Sequence, residues 1–195
     1  MSKLKTIVTG GAGFIGSHLV DQLLTGGNQV IAIDNFSTGR PENIKQHEEN
    51  PNFSLIQADI ADLNTIIKYF KGVDWVFHIA ALADIVPSIH SPQNYFKTNV
   101  DGTFSVLEAS RKTKVKRLIY AASSSSYGIP DVYPTPENAD IRPEYPYALT
   151  KYLGEQLVLH WGKVYKLPVI SLRFLMSMGH VHVHLAPTVQ FSASS

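Results

Sequence analysis

Three groups of residues in this chain have the types and spacing that chemistry requires: a Tyr-x-x-x-Lys pair, a run of serines and a glycine-rich loop. In YPYALTKYLGEQ, Tyr147 and Lys151 stand four apart, which on a helix brings both side chains to one face. A phenol with an ordinary pKa of about 10 is a poor base at neutral pH, but a neighbouring ammonium stabilises the phenolate and lowers that value. Tyr147 so placed accepts a proton from a substrate hydroxyl. Tyr145 is a decoy, because Leu149 rather than a lysine follows four residues later and Pro146 marks the helix start. On its own the Tyr–Lys spacing is common on exposed helices. Its weight comes from AASSSSYG, Ala121 to Gly128, a serine run just past a strand end.

The loop VTGGAGFIGSHL follows the first strand pattern and opens the first helical one. Gly10 permits the tight turn, Gly13 lets the backbone approach a pyrophosphate, and Gly16 allows close helix packing. The helix start at Phe14 and Ile15 offers unpaired N–H groups and a positive dipole end to the phosphates. Asp34 ends the next strand 24 residues after Gly10, with Asn35 beside it, where a carboxylate accepts the ribose hydroxyls of a dinucleotide. That carboxylate repels a 2′-phosphate, which favours NAD over NADP, although Arg40 nearby keeps the second open. The cationic ring of NAD⁺ would further lower the Tyr147 phenol. His18, on the first helix, reads as a packed structural residue.

These groups need a scaffold, and the apolar pattern supplies one. Short apolar runs begin at Thr6, Gln29, Phe53, Asp74, Arg117 and Leu167, with residues 14–24, 63–70, 103–112 and 147–165 carrying apolar positions at three- and four-residue spacing. Six strands alternating with helices predict an α/β fold, a Rossmann-like doubly wound parallel sheet joined by right-handed crossovers. In such sheets ligands bind beyond the carboxyl ends of the strands, where the glycine loop and the serine run both fall.

Composition narrows the classes. The 195 residues are 44% hydrophobic and 17% charged, enough to bury one core, and a net charge of +1 gives no field for gripping nucleic acid or an anionic membrane. RKTKVKR, Arg111 to Arg117, reads as a solvated helix end leading into a strand. Without cysteine there is no disulfide framework or thiolate metal site, and MSKLKTIVTG enters a strand pattern at once without a signal-peptide segment, so a cytoplasmic protein is expected. WVFHIAALA, the longest apolar run, is far short of the roughly 20 residues that span a bilayer.

The spacing Gly-Gly-x-Gly-x-x-Gly, with AD at Ala58–Asp59, HIAA at His78 to Ala81 and NVDGT at Asn99 to Thr103, resembles the extended short-chain dehydrogenase/reductase superfamily. Within it the chain is most similar to the NAD-dependent nucleotide-sugar epimerase/dehydratase family, especially the UDP-glucose 4-epimerases. The resemblance implies that Asp59 and Ile60 lie at the adenine and that Ala80 and Ala81 lie beneath the cofactor. It places the catalytic hydroxyl four residues before the tyrosine of SYG, on Ser123. Ser124 is the competitor, because Ala121 and Ala122 replace serines that often precede the catalytic one. The segment from Ala83 to Ser88 would border the sugar. The implied reaction is hydride transfer from a hexose C4 to the nicotinamide, turning of the 4-keto sugar, and hydride return to its other face. Dehydratases of the superfamily carry acidic residues directly after the catalytic Ser or Thr; Ser124 and Ser125 stand there instead, which favours epimerisation. A nucleotide-sugar dehydratase or reductase is the runner-up, and a non-catalytic NAD sensor is disfavoured by Tyr147 and Lys151. Homodimerisation is implied through the helices at 103–112 and 147–165.

Residues 1–173 therefore read as the NAD-binding domain with its Ser/Tyr/Lys set, lacking most of the C-terminal substrate portion. The chain is on this reading a truncated enzyme, with an inactive NAD-binding fragment as the alternative. Residues 174–195 read as a non-native tail. His180, His182 and His184 in GHVHVHL share one strand face and invite a metal site, but no carboxylate accompanies them. A single-base frameshift near Phe174 explains them as out-of-frame codons, since restoring the frame yields Gly from Met178 and Gly179, and Val from Met176 and Ser177 if Ser177 has a TCN codon, both in the segment that similar epimerases carry there. No metal is expected.

Overall fold

The computed structural model describes residues 3–176 and 189–194. Strands β1 (Lys5–Thr9), β2 (Gln29–Asp34), β3 (Phe53–Gln57), β4 (Trp75–His78), β5 (Arg117–Ser123) and β6 (Val169–Met176) form a parallel sheet, and β7 (Val189–Ser194) joins antiparallel to β6. The order is β3-β2-β1-β4-β5-β6-β7. Chain direction reverses its spread at β1, so the crevice beyond the ends of β1 and β4 is the topological switch point.

Period-two alternation explains how one sheet holds two cores. Ile7 and Val8 are neighbours on β1 and both are fully buried, but Ile7 joins a cluster with Val76, Leu107, Leu118 and Trp161, while Val8 joins one with Val20, Ala32 and Phe53. The first cluster is covered by α5 (Gly102–Thr113) and α6 (Pro146–Tyr165), the second by α1 (Phe14–Thr25). Burial on both faces is why these strands read as continuous apolar runs.

The helices differ from the sequence expectation in detail. Residues 63–70 divide into a short helix α2 (Leu63–Ile66), capped by the Asp62 side chain on the Thr65 amide, and a 3₁₀ turn. Of the segment Ala83 to Ser88, read as a sugar-bordering loop, the last four residues lie in α3 (Ile85–His90), followed by α4 (Pro92–Phe96) and a π-helical turn, Lys97–Asp101, running into α5. Strand β7 was not among the six expected strands. The alternation of Val189, Phe191 and Ala193 with Gln190, Ser192 and Ser194 is its signal, which the frameshift reading of the tail obscures. Strand β6 runs unbroken across positions 173 and 174, pairing Phe174 with Ser123. The histidines at 180, 182 and 184 lie outside the described residues. Among the described residues no helix is long and apolar enough to cross a membrane.

Candidate active site

A cavity of about 250 Å³ opens beyond the ends of β1, β2 and β4. Of the residues assigned to the cofactor from sequence, Gly10, Gly13, Phe14, Ile15, Gly16, Asp34, Asn35, Ile60, Ala80 and Ala81 line it, and so does Ala83. Gly10 has φ +69°, and a Cβ there would stand 2.8 Å from the Ala80 backbone, so only glycine lets the two loops form this floor. Asp59 is not among the lining residues, although its neighbours Ala58 and Ile60 are; its carboxylate accepts from the Ala61 amide at 2.9 Å and faces the Lys97 ammonium at 3.6 Å. Ser37, Thr38 and Thr98 also line the cavity and were not singled out from sequence, since isolated hydroxyl residues in a loop give no periodic signal.

Asp34 is buried, and each of its carboxylate oxygens accepts one backbone amide, from Ala12 at 2.9 Å and Phe36 at 2.8 Å. These bonds fix the carboxylate at the end of β2 and leave lone pairs on both oxygens for a diol. The Arg40 amide donates to the Ala12 carbonyl at 3.0 Å, as does the Asn43 side chain at 2.8 Å, so the loop after β2 is tied to the glycine loop.

Beneath this floor a buried relay sets one imidazole. Thr103 Oγ1 donates to the Asn99 carbonyl at 2.6 Å, so it must accept from His78 Nε2–H at 2.9 Å. His78 Nδ1 then accepts from Thr9 Oγ1 at 2.7 Å, and the same oxygen receives the amides of Ile79 and Ala80 at 3.2 and 3.3 Å. Burial, with the Lys151 charge nearby, holds the His78 pKa at about 3, and the ring is neutral. The relay pins the HIAA segment that presents Ala80 to Gly10.

The sequence folds to bring Ser123, Tyr147 and Lys151 to one place. Pro146 at the first helical position starts α6, which puts Tyr147 in the first turn and Lys151 one turn on. Ser123 ends β5 and caps the 3₁₀ turn at Ser124–Tyr127. The Tyr147 hydroxyl donates to Ser123 Oγ at 3.3 Å, and the Ser125 amide donates to the same oxygen at 3.2 Å. Ser123 thus accepts twice and keeps its own proton for a third group. Between the two serine candidates, the geometry brings Ser123 to the phenol, whereas Ser124 belongs to the turn beyond it.

Three sequence expectations need correction. Tyr147 was expected to be lowered by Lys151 together with the cation of NAD⁺; in the chain alone burial raises the phenol pKa, and the Ser123 hydrogen bond offsets only part of this. Burial also lowers Lys151 to about 7, against an opposing pull from Glu155, so the ammonium is itself weakened. Its Nζ stands 4.4 Å from the Tyr120 ring centroid. Ser88 is fully buried and donates to the Ile85 carbonyl at 2.6 Å, so it packs α3 and leaves Ala83 as the cavity-lining residue of its segment. His18 is exposed rather than packed inside, its ring edge-on to Phe14 with Nδ1 2.8 Å from the Phe14 carbonyl.

The glycine loop, the Asp34 carboxylate and the Tyr–Ser–Lys set occur together on a six-strand parallel sheet. A model of the NAD dependent epimerase/dehydratase family matches residues 6–189. The chain belongs to this family. Among relatives of this epimerase/dehydratase chain is a putative UDP-glucose 4-epimerase of Methanocaldococcus jannaschii, 39% identical over 170 residues, covering 86% of the chain and 54% of the relative. A UDP-N-acetylglucosamine 4-epimerase of Methanobrevibacter ruminantium, solved with UDP-N-acetylmuramic acid, superposes with TM-score 0.84 at 32% identity, covering 95% of this chain and 61% of that one. A dTDP-glucose 4,6-dehydratase double mutant from Streptomyces venezuelae, solved with NAD, superposes with TM-score 0.82 at 31% identity, covering 85% and 54%. The chain thus spans about half the length of the curated relative. The residues present fit the family's cofactor: Gly10, packed too closely on Ala80 for any Cβ, lines the cavity with the start of α1, and Asp34 offers lone pairs at its far end.

Proposed function

We propose that this chain carries the NAD-binding and proton-transfer machinery for C4 epimerisation of a nucleotide-activated hexose, with a UDP-hexose as substrate. The observation that carries the reading is the Tyr147–Ser123 hydrogen bond, with Lys151 one turn below it. Gly10, Gly13 and Gly16 with the N-terminus of α1 would hold the pyrophosphate, Asp34 the adenosine ribose, and Ala80 and Ala81 the floor of the site. When bound, NAD would supply the hydride acceptor and donor and, in its oxidised form, a positive charge. The phenol seen donating to Ser123 must first give up its proton to solvent; with Tyr147 as phenolate, Ser123 keeps the Ser125 amide and turns its proton to the C4 oxygen, orienting it. Tyr147 takes the C4 hydroxyl proton as the carbonyl forms and gives it back when the 4-keto sugar has turned. Lys151 stabilises the phenolate form of Tyr147 through its charge.

Dehydration is the second reading, favoured by the similarity to the Streptomyces venezuelae enzyme. It requires a further acid to remove water, and Ser124 and Ser125 cannot act as carboxylic acids. Product identity from UDP-galactose distinguishes the two: a UDP-glucose product supports epimerisation, and a 4-keto-6-deoxy sugar overturns it.

The reading includes a homodimer. Phe104 on α5 and Leu159 and Val164 on α6 are exposed, and a groove of about 560 Å³ runs along α6 between Phe96, Val100, Leu153 and Leu157. A second copy presenting the same helices would cover these apolar surfaces by two-fold symmetry.

A further inference from the structure

We propose that Tyr120 is a positioning residue for Lys151, its ring face serving as the seat of the ammonium and its hydroxyl holding the backbone of the same residue. The inference deepens the reading of Lys151 as the support of Tyr147, and rests on it.

Tyr120 sits in the middle of β5 and is 1% exposed. Its hydroxyl donates to the Lys151 carbonyl at 3.3 Å, while the Lys151 Nζ stands 4.4 Å from its ring centroid. One side chain therefore holds both ends of the lysine. A flexible four-carbon stem needs such a constraint if its charge is to stay beside the turn of α6 that carries Tyr147.

The surroundings leave the ring as the group that attracts the ammonium at contact. Glu155 acts on Lys151 from its own helix, His78 lies near it from β4 and Tyr120 from β5. Glu155 acts at a distance, because its carboxylate is bonded by Ser171 at 2.9 Å and by Arg173 at 2.9 to 3.1 Å. His78 is neutral and its ring packs on Tyr120 at 5.4 Å. Among the described residues no carboxylate forms an ion pair with Lys151. A desolvated cation over an aromatic face is the arrangement in which the ring quadrupole acts most strongly.

Gly154 supplies a second, independent mark of this seat. A Cβ there would collide with the Tyr120 hydroxyl and would lie 3.2 Å from Cζ and 3.3 Å from the Asn99 carbonyl. Glycine in a helix interior costs about 1 kcal/mol relative to alanine. Its place here, one turn from Lys151, lets α6 settle onto the Tyr120 ring.

The test reads Lys151 directly, by NMR titration of the whole chain with isotope-labelled lysine, the resonance being assigned by its loss in Lys151→Arg. Tyr120→Phe keeps the ring and should keep the titration midpoint. Tyr120→Leu should lower it by about one pH unit, because the charged form loses its favourable contact. A midpoint unchanged in Tyr120→Leu, or moved equally in both variants, overturns the proposal. Urea unfolding gives a check that needs no leucine variant. Gly154→Ala should lower the midpoint of the wild-type protein more than that of Tyr120→Phe, where the colliding hydroxyl is gone; equal losses overturn the fit. Neither measurement depends on turnover, whereas an unimpaired Tyr147→Phe enzyme would remove the underlying reading of Tyr147 and leave the Lys151 titration as found.

Discussion

Acidification should weaken this fold through His78, and the structure sets the size of the effect. The imidazole is fully buried with a folded pKa of about 3 against an ordinary value of 6.5. The folded state stays neutral as pH falls while the unfolded chain takes up a proton, so stability drops as pH goes from 6.5 toward 3. Between pH 7 and pH 5 the loss from this one group is about 2 kcal/mol, a figure set by the unfolded pKa as long as the folded one stays below pH 5. Urea unfolding of the wild type and His78→Gln at the two pH values measures it. Glutamine can accept from Thr9 and donate to Thr103, so it keeps the relay without titrating. The wild type should lose about 2 kcal/mol more than His78→Gln on going to pH 5. An equal loss in both proteins would refute the argument that a buried, neutral His78 couples the fold to pH.

The other predictions bear on the site and its surroundings. Calorimetric titration should show NAD binding more tightly than NADP, with the preference reduced in Asp34→Ala; equal affinities in the wild type would refute the ribose–carboxylate argument. Ser123→Ala should slow epimerisation of UDP-galactose on the order of 10²-fold or more, with Ser124→Ala closer to wild type. The reverse order would move the catalytic hydroxyl by one residue. Light scattering should give a dimer that Leu159→Glu dissociates, because a charge there would be buried against the second copy. A monomeric wild type at high concentration would contradict the covered α5–α6 surface.

Much of the scaffold was legible because its signals are local. The alternation that sends Ile7 and Val8 to opposite cores, the glycines around Gly10 and the four-residue step from Tyr147 to Lys151 all lie within one or two turns of chain. The choice of Ser123 over Ser124 comes from the resemblance to the epimerases, through its place four residues before Tyr127, and the Tyr147 hydrogen bond agrees with it. What sequence could not give depends on contacts between distant segments. Tyr120 is 31 residues from the lysine it holds, and nothing in RLIYAAS marks its ring as a seat. Ser88 looked like a polar loop residue beside a sugar, but Pro87 lies within the short helix α3, which turns the hydroxyl onto its own backbone. The expected depression of the Tyr147 phenol rested on the charges of Lys151 and NAD⁺ and left out burial, which a linear sequence does not report and which raises the phenol in the chain alone. Strand β7 was visible as an alternation but lay in a segment whose histidines drew a different explanation.

The central claim is that Tyr147 and its neighbours let a hydride leave C4 of a nucleotide sugar and return to the same carbon. UDP-galactose carrying deuterium at C4, incubated with the chain and NAD, tests this most directly. The account predicts UDP-glucose with deuterium retained at C4, formed at a rate that Tyr147→Phe lowers on the order of 10²-fold or more. Deuterium lost to solvent, a dehydrated product, an unconverted substrate or an undiminished rate in Tyr147→Phe would contradict it.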